Sequence, residues 1–324
     1  MIALEQRPVV SVIIPFYNVE KYIGRCARSL FDQTLAEMEF IFVDDCGSDG
    51  SAELLANVVA ERSERSVRIV KMPENQGVSA ARAAGIALAT GEYLGFCDSD
   101  DWVEPTMYER LYDAAIGQKA DIVGCGFVEH WPDHDEEKRF DVVADGEAVI
   151  CSFQHFGGVY GALCNKIIRR EFFLAKNLHL GDGLSMWEDS LTLIPMRLRS
   201  AQTVFVRDCL YHYNVNEGSV TTRFSLRKVQ DSCEAVRRLE RFFVANGYAS
   251  AAEEMITYLK INAKEVLLRY PTRENIALWR ETFPEATASI WRYPSWNVIL
   301  KLRAWLVARM PLAIALIIIK YMRK

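Results

Sequence analysis

The sequence has no uninterrupted apolar run of the about 20 residues needed to cross a bilayer. The longest candidate, Met310 to Ile319, falls short, and lengthening it draws in Lys301, Arg303 and Arg309. Each of these costs about 2.5 to 3.5 kcal/mol at the centre of a spanning helix, so a span is not expected. The opening "MIALEQRPVV" lacks a basic start followed by a sustained apolar stretch, so no secretory leader is expected and the cytoplasm is the expected compartment. No two of the eight cysteines form a CxxC pair, and most sit in apolar runs, which points to reduced, packed thiols and no zinc site. No basic stripe with interleaved aromatics occurs before Glu285, and the formal charge is -5, which argues against nucleic acid as a partner. Internal repeats and low-complexity segments are also missing. Acid is absent after Glu285, while Arg292, Lys301, Arg303, Arg309, Lys320, Arg323 and Lys324 follow it. A basic and apolar tail thus follows an acidic body.

What is present is a chain of 324 residues, 50% hydrophobic, long enough for one large core or two smaller ones. "VVSVIIPF", "EFIFVDD", "VRIVK", "EYLGFCD" and "ADIVGCGF" are short β-branched or aromatic runs ended by Pro, Asp or Gly, the signal for buried strands. Helical stretches lie between them. Residues 20–33 place Ile23, Ala27, Leu30 and Phe31 on one face, 51–62 open at a serine cap, and 78–89 stop before Gly91. This alternation specifies an α/β fold with a doubly wound, mostly parallel, Rossmann-like sheet over about the first 127 residues. Residues 130–139, "HWPDHDEEKR", read as an exposed charged loop, and 226–282 as amphipathic helices with Leu226, Val229, Cys233, Val236 and Leu239 along one face.

In such a sheet, ligands bind outside the carboxyl ends of the strands. Those ends carry Pro15 to Glu20, then Asp44 and Asp45, then Asn75 to Gly77, then Asp98 to Asp101, so acids from separate strands meet at one edge. In "FCDSDDWVEP" an extended backbone points Asp98 and Asp100 to one side, whereas a turn pairs Asp98 with Asp101. Clustered carboxylates repel unless a cation sits between them, and oxygen ligands suit Mg²⁺ or Mn²⁺. The same residues also suit a helix N-terminus capped by Ser99 or Asp100, and DSDD alone does not decide between the two. "SMWEDSLTL" poses the same choice for Glu188 and Asp189: a capping pair, or a proton acceptor with its neighbour.

The ordered set "VSVIIPFYNVEKYIGRCARSLFDQT", "EFIFVDDCGSDGS", "PENQGVSAARAAGIALATGEYLGFCDSDD", "GALCNKIIRREFF" and "MWED" resembles the family 2 inverting glycosyltransferases of the GT-A fold, the type that builds capsular and cell-surface polysaccharides. The resemblance covers about residues 8–222. It implies that Pro15, Tyr17, Asn18 and Glu20 line a nucleotide pocket, and that Asp45, with Asp44 beside it, holds the base, usually uracil. It further implies that Arg82 reaches the nucleotide side of the site and that Asp98, Asp100 and Asp101 form the DxD region touching ribose and a divalent ion, Mn²⁺ or Mg²⁺. Asp189 is the implied base, which activates an acceptor hydroxyl, with Glu188 as helper or acceptor ligand. Lys166 would approach acceptor or diphosphate, and residues 210–224 would close over the diphosphate with His212 or Arg223. The sequence departs from the family at Asn214, where a basic residue is frequent, at Ala83, where Asn is, and at Cys97, where Leu is.

The implied activity is transfer of a sugar from a nucleotide sugar, usually a UDP-sugar, to a hydroxyl of a glycan or lipid-linked oligosaccharide. Residues 8–127 form the nucleotide-binding half and 128–222 the acceptor half, followed by a helical extension over 223–290 and a tail helix over 291–324. Peripheral contact with the inner face of the cytoplasmic membrane is the favoured reading of that tail, ahead of docking on protein. Three rivals stand against the activity. A sugar nucleotidyltransferase would want a glycine-rich loop after the first strand, where this chain has "PFYNVEKY". A phosphohydrolase with an aspartyl nucleophile would want its acidic motif on the first strand, whereas here it follows the fourth. A nucleotide-sugar-binding scaffold without catalysis would keep Asp45 and Asp100 but have no need of Asp189.

Overall fold

The computed structural model describes residues 7–139, 161–175, 183–216 and 224–321. The chain divides into two compact units, one of residues 1–149 and 154–220, the other of 150–153 and 221–324.

In the first unit, β1 (Val10–Phe16) and β2 (Met38–Asp44) are buried at every position, as expected for strands covered on both faces. β1 pairs in parallel with β2 and β4 (Tyr93–Phe96), and β2 in parallel with β3 (Ser66–Lys71). The side-chain period of two sorts the core into two layers. Val10, Val12 and Ile14 pack with Ile23, Leu30 and Phe31 of α1 (Ile23–Phe31) and with Leu55 of α2 (Ser51–Ala60). Ile13 packs on the opposite face with Ala81 of α3 (Val78–Leu88) and with Leu193 and Met196 of α6 (Glu188–Arg199), which α4 (Met107–Gln118) and α5 (Arg170–Ala175) precede in the chain. α3 approaches β1 closely because Gly85 has no Cβ; one built there would lie 2.5 Å from the Ile13 side chain.

The sheet is mixed beyond β4. The strand expected to follow β4 directly, β6 (Ile122–His130), is separated from it by β8 (Lys166–Arg169), which runs antiparallel to both. The order is β3-β2-β1-β4-β8-β6-β9-β5, with β9 (Thr203–Asn214) parallel to β6 and β5 (Trp102–Val103) antiparallel to β9. Residues 130–139 are exposed as expected save the half-buried His130 and Lys138, but they are not all loop: β7 (Asp135–Lys138) folds back on β6 as a hairpin, closed by Trp131 N donating to the His134 carbonyl. Ser51 is the first residue of α2, not its cap. Its hydroxyl accepts from Val19 N and donates to Asp49.

The second unit is helical over its described residues: α7 (Leu226–Ala245), α8 (Glu253–Arg269), α9 (Arg273–Glu281), a 3-10 segment (Pro284–Arg292), α10 (Val298–Arg309) and α11 (Leu312–Tyr321). Val229, Cys233, Val236 and Leu239 are buried on α7 as the spacing predicts, whereas Leu226, a turn before that stripe as the helix's first residue, is exposed. Buried Lys264 caps α9, donating to the Thr282 and Phe283 carbonyls over the face of Trp279, and burial pulls its ammonium down to about 8. Among the described residues no helix is long and apolar enough to cross a membrane.

Candidate active site

The loops after β1 and β2 are tied to each other. Asn18, held in the left-handed region at φ 52°, accepts from Ser48 N at 2.8 Å and Asp49 N at 3.3 Å through its side-chain oxygen. Glu20 accepts from Gly50 N at 3.2 Å, and its own amide donates to Asp49. Pro15 is buried in β1, while Tyr17 is 47% exposed and open to a ligand. Asp44 accepts from Gly47 N at 2.8 Å. The two oxygens of Asp45 accept from Gln76 N and Gly77 N, both at 2.8 Å, just before α3 begins. Gly77 has φ 89°, a conformation that favours glycine, so the turn presenting those amides depends on it. Each Asp45 oxygen keeps a second lone pair for a further donor.

One turn into α3 from these amides stands Arg82, only 3% exposed. Its guanidinium meets Asp98 after β4 at 2.9 Å, and Asp189 and Glu188 at the start of α6 at 2.7 and 3.5 Å. Burial opposes its charge, but the carboxylates of Asp189, Asp98 and Glu188 outweigh that and raise its pKa further. Asp189 is also fixed by Leu163 N, which donates to its second oxygen at 3.0 Å. Burial and the neighbouring Asp189 carboxylate push Glu188 up to about 7, with Arg82 only partly offsetting them. Both acids lie in the first turn of α6, at its N-terminus, without serving as side-chain caps.

The acidic motif forms a turn in which Asp101 N donates to the Asp98 carbonyl. Asp101 is fully buried and held by β9, accepting from the Tyr211 hydroxyl at 2.5 Å and from Asn214 N at 2.8 Å. Asp98 N donates to the same tyrosine oxygen. Asp100 accepts from the Asn216 side chain at 3.0 Å. Desolvation, then repulsion from Asp98, raises the Asp100 pKa; desolvation followed by Asp100 and Asp98 raises that of Asp101 well above the carboxylate range. An oxygen of Asp98, an oxygen of Asp101 and the Cys164 sulfur lie within 4.8 Å of one another. The Cys164 thiol is itself pushed well up by burial and then by Asp98, so it is a poor ligand beside two carboxylates, and Asp100, expected to share the ion, is not part of this cluster. The donor set that remains is hard oxygen crowded at like charge, which fits Mg²⁺ or Mn²⁺.

Lys166 is buried, donating to the Ala162 carbonyl and the Asn165 side chain, with its pKa lowered to about 7 by burial. It begins β8, whose antiparallel pairing with β4 sets it at the carboxyl end of that strand, with its ammonium held by Ala162 and Asn165. Residues 210–214 belong to β9, so the segment read as closing over the diphosphate is strand at its start. Arg223 lies outside the described residues. His212 is bonded to Glu104 and His130, each at 2.8 Å, and stacks on Trp102. Sequence reasoning missed Tyr211, Asn214 as an anchor of Asp101, and Arg25, whose guanidinium covers Trp102 at 3.6 Å and donates to the Asp100 carbonyl. The only available signal was the two-residue period of "LYHYN" opposite a strand beginning at Trp102.

The model of glycosyl transferase family 2 matches residues 11–173. The uncharacterized glycosyltransferase EpsJ of Bacillus subtilis strain 168 is 34% identical over 224 residues, 66% of this chain and 63% of that one. Among solved structures, S. aureus TarS 1-349 in complex with UDP superposes with TM-score 0.65 at 16% identity, covering 97% of this chain and 91% of that one. The mannosyltransferase PcManGT of Pyrobaculum calidifontis, in complex with GDP-Man and Mn²⁺, gives TM-score 0.58 at 15% identity, covering 98% and 85%. The mixed α/β sheet is of the GT-A kind, and the family match with its curated relatives sets the class as a glycosyltransferase. Within that class, the chain belongs to glycosyl transferase family 2.

Proposed function

We propose that the protein transfers a hexosyl or N-acetylhexosaminyl group, with inversion, from a nucleotide sugar to a hydroxyl of a glycan or lipid-linked oligosaccharide in surface polysaccharide synthesis. The donor is a UDP-sugar, its nucleotide received by Pro15, Tyr17, Asn18, Glu20, Asp44 and Asp45, with Arg82 and Asp98 on the diphosphate and ribose side. The single observation behind this reading is Arg82 touching Asp98 and Asp189 at once, which joins a donor-side acid to a candidate base. Asp189 accepts the proton of the attacking hydroxyl as the bond to the anomeric carbon forms on the face opposite the leaving diphosphate. Glu188 orients the acceptor or shares that proton. Asp98, Asp100 and Asp101 hold Mn²⁺ or Mg²⁺, which when bound offsets charge on the leaving group.

We assign residues 8–222 to the transferase domain, with 8–127 as nucleotide-binding half and 128–222 as acceptor half. Residues 223–290 are a helical extension. Residues 291–324 make peripheral contact with the inner face of the cytoplasmic membrane. The test is release of UDP from a panel of UDP-sugars with and without Mn²⁺, using Asp100→Ala and Asp189→Asn beside the unmutated protein. Metal-dependent UDP release that both variants lose supports the reading. Donor binding without turnover across suitable acceptors sinks it in favour of the scaffold, and release of inorganic phosphate in favour of the hydrolase.

A further inference from the structure

The solvent face of α10 carries large apolar side chains. At 100° per residue, Val298, Ile299, Leu302 and Arg309 share one arc, while Arg303, Ala304 and Val307 share the opposite one. It is the second arc that is buried. Val298 and Ile299 are 70% and 60% exposed, whereas Arg303 is buried and donates to the Leu268 carbonyl. α11 is apolar on both sides: Ile314 and Ile317 are exposed, the latter at 57%, and Ala315 and Ile319 are buried. A surface helix ordinarily covers its large apolar side chains, as α7 in the same unit does.

The charged side chains carried by α10 and α11 themselves have one sign. Every formally charged side chain after Glu285 is cationic, and Arg309 is exposed at the end of α10, next to the Trp305 ring. Two copies of this face would bring like charges together, and neither helix is long enough to span. An anionic lipid surface satisfies both the apolar arc and the cations.

We propose that the exposed arcs of α10 and α11 are an interfacial lipid-docking surface, with Val298, Ile299, Leu302, Ile314 and Ile317 seated among acyl chains and Arg309 against anionic headgroups. This rests on the peripheral contact assigned above, adding the face and the lipid charge, and is independent of the donor chemistry. The full-length chain is sedimented with phosphatidylglycerol/phosphatidylethanolamine vesicles and with pure phosphatidylcholine vesicles. It should pellet with the first and remain in solution with the second. The combined Ile299→Ser, Leu302→Ser and Ile317→Ser variant should lose at least about tenfold in partitioning, and Arg309→Glu at least about fivefold, more at low salt. A cooperative urea transition checks that the triple variant folds; Val298→Ser alone, at the most exposed position, repeats the test if it does not. No pelleting of the unmutated chain with either vesicle overturns the peripheral contact itself. Equal pelleting of the unmutated and triple-variant chains leaves that contact standing but overturns this face. A dimer by light scattering that the triple variant converts to monomer overturns both the face and its lipid occupant, in favour of a second copy. UDP release measured on the same samples reports separately on the donor reading.

Discussion

The guanidinium of Arg82 lies 2.7 Å from the carboxylate of Asp189, a residue 107 positions away in the chain. The pair fastens the start of α6 to the middle of α3, and the other guanidinium arm fastens Asp98 to both.

Arg82→Ala should therefore cost about 3–5 kcal/mol of stability in urea unfolding, since it empties a buried cation site and leaves three partly buried carboxylates facing one another. Arg82→Lys keeps the charge but not the planar two-armed fork, so its loss should be smaller and its turnover still poor. Equal stability of the alanine variant and the unmutated protein would contradict the ion-pair geometry.

Asp189→Asn should lower turnover by about 10²–10⁴-fold while the donor Kd, from calorimetry, stays within about threefold. Retained turnover there, with loss in Glu188→Gln, would move the proton acceptor one residue back.

Glu188 gives a pH signature. Its folded pKa, about 7, lies above the unfolded value, so the folded state binds more protons between those two values. Its contribution to stability is therefore full at acid pH and is lost as pH rises towards 7. Melting temperature followed over that window should fall less steeply in Glu188→Gln than in the unmutated protein; identical slopes would refute the assignment.

Asp100 and Asp101 should separate by experiment. Asp100 is raised in pKa chiefly by burial and then by Asp98, so Asp100→Asn relieves repulsion and should leave the metal-free protein as stable or more so while weakening Mn²⁺ activation. Tyr211→Phe removes the hydroxyl that holds Asp101 and should cost about 1–3 kcal/mol, read from thermal melting in the absence of metal.

Gly85→Val tests the close packing of α3 on β1. The new side chain meets Ile13 and should cost at least about 1–3 kcal/mol, with turnover falling because Arg82 sits one turn earlier on the same helix.

The parallel half of the sheet was legible because β1 and β2 are continuous apolar runs ended by Pro-Phe and Asp-Asp, signals that need no tertiary context. β8 was not. Lys166 to Arg169 is four residues with a lysine at one end and an arginine at the other, and only the gap between β4 and β6 makes it a strand. The site residues could be gathered from the strand ends, but their pairing could not. Nothing local in "ARAAG" says that its arginine will meet an acid after β4 and two more at the start of α6. Likewise, that Asn18 and Glu20 hold a neighbouring loop depends on amides about 30 positions away. The apolar arc of α10 was hidden for another reason. The sequence offers no clean arc there, since Leu302 and Trp305 share the sector of Arg309, so only the burial of Arg303, Ala304 and Val307 tells which side the protein covers.

The tie between the loops after β1 and β2 bears on the energetics of donor capture. With Asn18 and Glu20 already bonded to Ser48, Asp49 and Gly50, the conformational entropy of ordering that rim is surrendered when the chain folds, not when a nucleotide arrives. On the proposed donor reading, a nucleotide reaching these loops meets a rim already tied together, so less of its binding free energy goes into ordering them.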